Sequence, residues 1–173
     1  GAGADTLLGG YGNDIYVVDN VGDVVDERDP DGIDVVWTSV SLNVDWARVE
    51  EIHLSGSADL DITSQAFGVT LVGNAGSNRL DGIGGGSLVS YANATGAVNV
   101  DLQAGTATGF GNDQLSHFNG VIGSAFDDTL RGNADTNRLT GGAGSDRFEL
   151  WNGSVDQVLD FQSGVDQLVI DQS

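Results

Sequence analysis

The chain has 173 residues, of which 26 are acidic and only 6 basic, for a formal charge of −20. Such a balance argues against nucleic acid and anionic membrane surfaces as partners, since both need clustered Lys and Arg, and no apolar run is long enough for membrane insertion as a helix. Cysteine is absent, which removes disulfides and thiolate metal sites, while 39% hydrophobic residues argue against a disordered acidic chain.

The kind of acid is informative. Asp accounts for 22 of the acids and Glu for 4, and every base is Arg. Asp is short, favours turns and holds its carboxylate near the backbone, so the bias points to loops that gather oxygen ligands.

Residues 1–25 open on a nine-residue period of the form G-G-x-G-x-D-x-U-x, where U is a large apolar residue. Gly9 to Val17 is a full copy, Gly1 to Leu8 is a copy lacking its first Gly, and the apolar position recurs at Leu7, Tyr16 and Val25. The next segment, 26–54, breaks the phase, although Asp34 to Leu42 and Val49 to Ser55 alternate as strands do. From 55 to 98 the apolar position returns at Ile62, Leu71, Leu80, Val89 and Val98, with Asn78 and Ser87 where Asp would stand. A second interruption spans 99–122 and contains a degenerate copy at 108–116, with Gly109, Gly111, Asp113 and Leu115. The strongest run is 123–149: Gly123 to Arg131 carries Asp128, Gly132 to Thr140 carries Asn137, and Gly141 to Glu149 is a full copy ending its loop on Asp146. Residues 150–173 read as a closing segment.

Three residues make too short a strand to stand alone, at roughly 10 Å, so each x-U-x needs stacked neighbours. Six Gly-rich residues turn the chain sharply, so each nonapeptide is a half-turn and two make one turn of a flattened coil. The expected fold is therefore all-β, a parallel β-roll or β-solenoid of nonapeptide half-turns with looser inserted strands, forming a single module over 1–173. Loops on one edge come from repeats eighteen residues apart. Their carboxylates and carbonyls would make an oxygen-only cage that suits Ca²⁺, which takes about six to eight oxygen ligands, better than Mg²⁺ or Zn²⁺.

These repeats resemble the repeat-in-toxin (RTX), or hemolysin-type, calcium-binding proteins, whose repeats form a parallel β-roll. The likeness implies that the loop Asp and Gly-loop carbonyls bind calcium, and that export by type I secretion is common. Carried onto this chain, it implies metal ligation by Asp128 and Asp146, by Asp5 and Asp23, by Asp14 and Asp113, and at Gly123, Gly142 and Gly144. Asp128 and Asp146 are the leading pair, eighteen apart and each closing a glycine loop. Asp5 and Asp23 share that spacing, but Gly22 sits one place off the pattern. For Asp14 only the downstream loop around Asp29, Asp31 and Gly32 offers a partner. Asn78, Ser87 and Asn137 lack the carboxylate, so their loops are expected to bind weakly or to use hydrogen bonds.

No catalytic grouping is read: there is no G-x-S-x-G elbow, H-E-x-x-H or phosphate-binding loop, and His53 and His117 have no helix-spaced ligand partners. Three functions stay open. The first is a calcium-binding module that folds outside the cell and stabilises a larger secreted protein, with the parent polypeptide upstream of Gly1, where the chain enters in mid-repeat. The second is a structural or adhesive segment of a cell-surface layer or extracellular filament, with end-to-end self-assembly through open solenoid ends. The third is a calcium-dependent carbohydrate-binding module. All three place it in the extracellular space or at the cell surface.

Overall fold

A computed structural model describes residues 1–28 and 31–171, with the side chain of Asp171 excepted. Among these residues there is no helix, only short strands. In chain order they are β1 (Thr6–Leu8), β2 (Ile15–Val18), β3 (Val24–Asp26), β4 (Val35–Thr38), β5 (Leu42–Val44), β6 (Glu51–Leu54) and β7 (Asp61–Ser64). There follow β8 (Thr70–Val72), β9 (Arg79–Asp81), β10 (Leu88–Ser90), β11 (Asn99–Asp101), β12 (Thr106–Thr108) and β13 (Asn112–Ser116). The last are β14 (Gly120–Ile122), β15 (Thr129–Arg131), β16 (Arg138–Thr140), β17 (Arg147–Trp151), β18 (Gln157–Val158) and β19 (Gln167–Asp171).

Successive strands alternate between two layers. One sheet runs β2-β4-β6-β8-β10-β14-β16-β18 and is parallel throughout. The other runs β5-β7-β9-β13-β12-β11-β15-β17-β19, while β1 and β3 form a separate parallel pair. The register follows the half-turn rule: Leu7 lies opposite Val25, Leu71 opposite Val89, and Leu130 opposite Phe148, each eighteen residues on. The chain is a parallel β-solenoid.

The U positions fill the space between the sheets. Ile62, Leu71, Leu80, Val89, Leu130, Leu139 and Phe148 are fully buried, and Tyr16 and Val25 nearly so. Burying each such side chain is worth about 1.5–3 kcal/mol, and the contribution recurs at every rung because each inward residue stacks on its counterpart one turn away.

The interruption at 99–122 is a change of direction within one sheet. Where the first sheet passes directly from β10 to β14, the second inserts β11, β12 and β13 as an antiparallel meander between β9 and β15. The reversed strand is β12, which ends at Thr108; the rest of 108–116 keeps the half-turn register, with β13 parallel to β9 and Leu115 in the core opposite Leu80. The inward place opposite Leu130 is taken by Val100, two residues past the periodic Val98. Segment 26–54 extends both sheets as the alternation predicts, at longer and shorter rungs: Ile15 faces Val35 and Val35 faces Glu51.

Candidate metal centres at the loop edges

Each strand that follows a glycine loop is preceded by the loop's last residue, which turns its side chain inward at the solenoid edge. Asp23, Asp34, Asp128 and Asp146 hold this place and are buried, as are Asn78 and Asn137. Buried carboxylates need compensating donors or a cation.

At the strongest pair the loops meet as their spacing predicts. The Asp128 backbone N–H donates to Asp146 Oδ1 at 2.9 Å, and the Asp146 N–H donates to Asp166 Oδ1 at 3.0 Å. Asp128 Oδ1 accepts the Val98 N–H at 2.8 Å and the Ser124 hydroxyl at 2.7 Å, and its Oδ2 accepts the Ser124 N–H. One edge thus carries a ladder in which each carboxylate holds the backbone of the preceding rung. Gly142 and Gly144 have φ of +101° and +130°, and a methyl group there would stand 2.0 Å from the Ser124 carbonyl oxygen and 2.6 Å from that of Phe126. A methyl group at Gly123 would likewise meet Asp128 Oδ2 at 2.4 Å and the Gly141 carbonyl at 2.5 Å. The loops therefore bring only oxygens together: Asp128, Asp146 and the carbonyls of Ser124, Phe126 and Gly141. Such a hard, flexible donor set fits calcium. Burial, with added repulsion from Asp128, Asp166 and Asp160, pushes the Asp146 carboxyl above its ordinary range against the Asp128 N–H bond that lowers it.

The closing segment contributes more than the sequence suggests. Asp160 accepts the N–H groups of Gly141 and Gly142, at 2.9 and 2.7 Å, and Asp166 extends the ladder. Asp160 lies outside the glycine pattern and only the stacking reveals it, whereas Asp166 keeps the G-x-D-x-U core in Gly164-Val165-Asp166-Gln167-Leu168, twenty residues after Asp146. Asp127 accepts the Ser145 N–H at 2.8 Å.

Asp5 and Asp23 also stack, with the Asp5 N–H donating to Asp23 Oδ1 at 2.9 Å. Asp23 Oδ2 accepts the N–H groups of Asp19 and Asn20, each at 3.2 Å, and these bonds, led by that from Asp5, hold the carboxyl below its ordinary range. Asp5 Oδ2 lies 3.0 Å from the Gly1 amino group.

On the opposite edge Asp14 finds its downstream loop. The Asp14 N–H donates to Asp34 Oδ1 at 2.8 Å, the Ile33 N–H donates to Asn13 Oδ1 at 3.0 Å, and Gly32 packs onto the Gly12 carbonyl. Asp29, named with this loop, lies outside the described residues. Carboxylate oxygens of Asp14, Glu27 and Asp34 come within 4.8 Å of one another. Asp14 Oδ2 is enclosed there without a hydrogen-bond partner, the kind of orphaned acceptor that a cation satisfies. Glu27 Oε1 accepts the Arg28 N–H at 2.7 Å and Oε2 accepts the Tyr16 hydroxyl, whose pKa is pushed up by burial and then by this carboxylate. Sequence reasoning missed Asp34 and Glu27 as ligands. Asp34 was legible as the residue before a strand, twenty rather than eighteen after Asp14; Glu27 had no signal.

Asp113 holds the rung before it as the other loop aspartates do, but its second oxygen bonds a core hydroxyl. Its Oδ1 accepts the Asn78 N–H and its Oδ2 the Tyr91 hydroxyl, both at 2.8 Å, deep in the core. Burial raises its carboxyl above the ordinary range despite these bonds. The Asn loops close on themselves as expected. Asn78 pairs with Asn74 through Nδ2 to Oδ1 at 3.0 Å, and Asn137 pairs with Asn133 in the same way at 3.1 Å.

The family model of the RTX calcium-binding nonapeptide repeat matches four copies, over residues 1–25 and 121–154. The chain carries RTX calcium-binding repeats. RTX nonapeptide repeats bind calcium ions, and these matched stretches contain the Asp5–Asp23 and Asp128–Asp146 loop pairs as well as the Asp14 loop. No curated protein matches the chain.

Proposed function

We propose that the chain is an RTX module that folds as calcium fills its loop edges, outside the cell, and thereby stabilises a larger secreted protein. The observation that carries this reading is the ladder Asp128–Asp146–Asp166, in which buried carboxylates from successive turns converge with loop carbonyls at one edge. Without a cation these charges repel at short range and the glycine loops are costly to order, so metal binding and folding are one event. The ligands are Asp128, Asp146 and the carbonyls around Gly123, Gly142 and Gly144 in one centre, Asp14, Glu27 and Asp34 in another, and Asp5 with Asp23 in a third.

Extracellular calcium modules bind with dissociation constants of about 0.1–1 mM, far above resting cytosolic calcium, so a chain of this kind crosses the export path unfolded and folds on arrival. No catalytic step enters this reading. His53 is occupied in stacking on Trp37 at 4.4 Å and bonding Glu51 at 2.7 Å, and His117 bonds Asp81 at 2.7 Å.

Far-ultraviolet circular dichroism during a calcium titration, with magnesium as control, tests the proposal. A strand spectrum that appears at millimolar calcium and not with magnesium is expected. A strand-rich spectrum unchanged in chelator contradicts it.

A further inference from the structure

The outer face of the sheet β8-β10-β14-β16-β18 carries a trough of about 490 Å³ unrelated to the loop carboxylates. Ligand clefts typically measure about 300–1,000 Å³, so the size suits a small or oligomeric ligand. Its lining includes Phe67, Leu88, Asn119, Thr136, Arg138 and Gln157. Among the described residues no Asp or Glu lines it, in a chain that has 26 acids.

The register explains its shape. Leu88, Gly120, Arg138 and Gln157 stand in one outward row across four strands. Gly120 leaves a gap in this row, and a methyl group there would press on Leu88 at 2.8 Å and on the Arg138 carbonyl at 2.2 Å. From β10 to β18 the row spans roughly 14 Å, at about 4.8 Å per strand. At one end Phe67 is 84% exposed, with its ring edge over Gly86, where a methyl group would stand 3.2 Å from the ring. The backbone beneath that ring is pinned. The Gly68 N–H donates to the Gly85 carbonyl at 2.8 Å, and the Gly86 N–H donates to Asn119 Oδ1 at 2.8 Å.

Arg138 is the cation of this trough. Arg28, Arg131 and Arg147 are each paired with a carboxylate, whereas the exposed Arg138 guanidinium has neither a hydrogen bond nor an ion pair among the described residues. An exposed aromatic platform, a free planar cation and a row of amide and hydroxyl groups together match a sugar that bears an anionic group. A peptide strand is disfavoured. At Leu88, Gly120 and Arg138 the row crosses strands that are paired on both sides, so no edge is open for strand addition there, and only its last member, Gln157, sits on the edge strand β18. We propose that this trough binds an anionic oligosaccharide, a sugar ring stacking on Phe67 while its carboxylate or sulfate meets Arg138.

The test is titration of the calcium-loaded chain with hexagalacturonate, a sulfated dextran oligosaccharide, neutral maltohexaose and hexaglutamate. Binding of the uronate or the sulfated sugar, weakened about tenfold or more in Arg138→Gln and several-fold in Phe67→Ala, is expected, and which of the two binds identifies the anion. Arg79→Gln, on the opposite sheet, should bind as the parent does. Circular dichroism of each variant separates this test from that of calcium-coupled folding, because both groove side chains are exposed and neither is a proposed calcium ligand. The proposal is overturned if neither anionic sugar binds, if maltohexaose or hexaglutamate binds equally well, or if Arg79→Gln loses as much affinity as Arg138→Gln.

Discussion

A loop-closing Asp does two jobs with one carboxylate. At Asp146, Oδ1 holds the Asp128 N–H of the preceding turn and Oδ2 is left to face its own loop near Gly141. At 78 and 137 Asn turns to its own loop, its oxygen accepting the N–H of Asn74 or Asn133 and its amide donating to the Oδ1 of the same residue. At Asp113 the first oxygen holds the Asn78 N–H in the same way, while the second is taken by the Tyr91 hydroxyl of the core. Its raised pKa means that the native carboxyl holds its proton more tightly than the unfolded one. The stability it contributes is therefore fully present below the ordinary carboxylate range and is lost as pH rises through its elevated value. Asp113→Asn should remove this component, so that variant and parent differ in stability by an amount that changes between about pH 4 and neutrality. Parallel pH profiles in denaturant unfolding would show that Asp113 does not titrate abnormally. Asp113→Ala should cost about 1–3 kcal/mol below the ordinary carboxylate range, and less as pH rises, because the Asn78 N–H and Tyr91 hydroxyl lose their acceptor. On the other edge, Glu27→Gln keeps an oxygen for the Tyr16 hydroxyl but removes a charge from the Asp14–Asp34 cluster. It should lower calcium stoichiometry by one site near the loading midpoint, read by calorimetry against the parent.

At the scale of the elements, the half-turn phase was legible wherever loop length stayed constant. The runs Leu7–Tyr16–Val25 and Leu130–Leu139–Phe148 fall on inward positions of alternating layers because six loop residues and three strand residues close a half-turn each time. The meander was not legible. An antiparallel hairpin uses the same alternation and the same glycine signals as a half-turn, so Gly109, Gly111 and Leu115 read identically in both. Direction is decided by pairing to β9 and β15, far along the chain. The Asp14 site was half legible, since Asp34 occupies the expected place before a strand, whereas Glu27 enters through a loop longer than the repeat allows. Packing also divides the strands by face. Leu130→Ala, at a fully buried inward position of β15, should destabilise by about 2–5 kcal/mol and raise the calcium midpoint for folding. Ile15→Ala, on the outer face of β2 and 72% exposed, should change stability by less than about 0.5 kcal/mol. Equal midpoint shifts in the two variants would mean that the inward row is not the core.

For the whole molecule, a charge of −20 and two edges of buried carboxylates are the grounds for proposing that calcium is part of the fold rather than an addition to it. Each turn touches only its neighbours, so an ion between two loops secures two rungs at once and its loss should spread along the stack. The central claim is that one ion is shared by loops eighteen residues apart, which is what the paired strands β15 and β17 and the Asp128–Asp146 bond imply. The most direct measurement is a double-mutant cycle on calcium stoichiometry and stability at fixed calcium, using Asp128→Ala, Asp146→Ala, the double variant and Asp135→Ala as control. Each single substitution should abolish the same site, the double variant should lose little more than either alone, and Asp135→Ala should cost much less. Additive losses, with two ions gone in the double variant, would contradict a shared site.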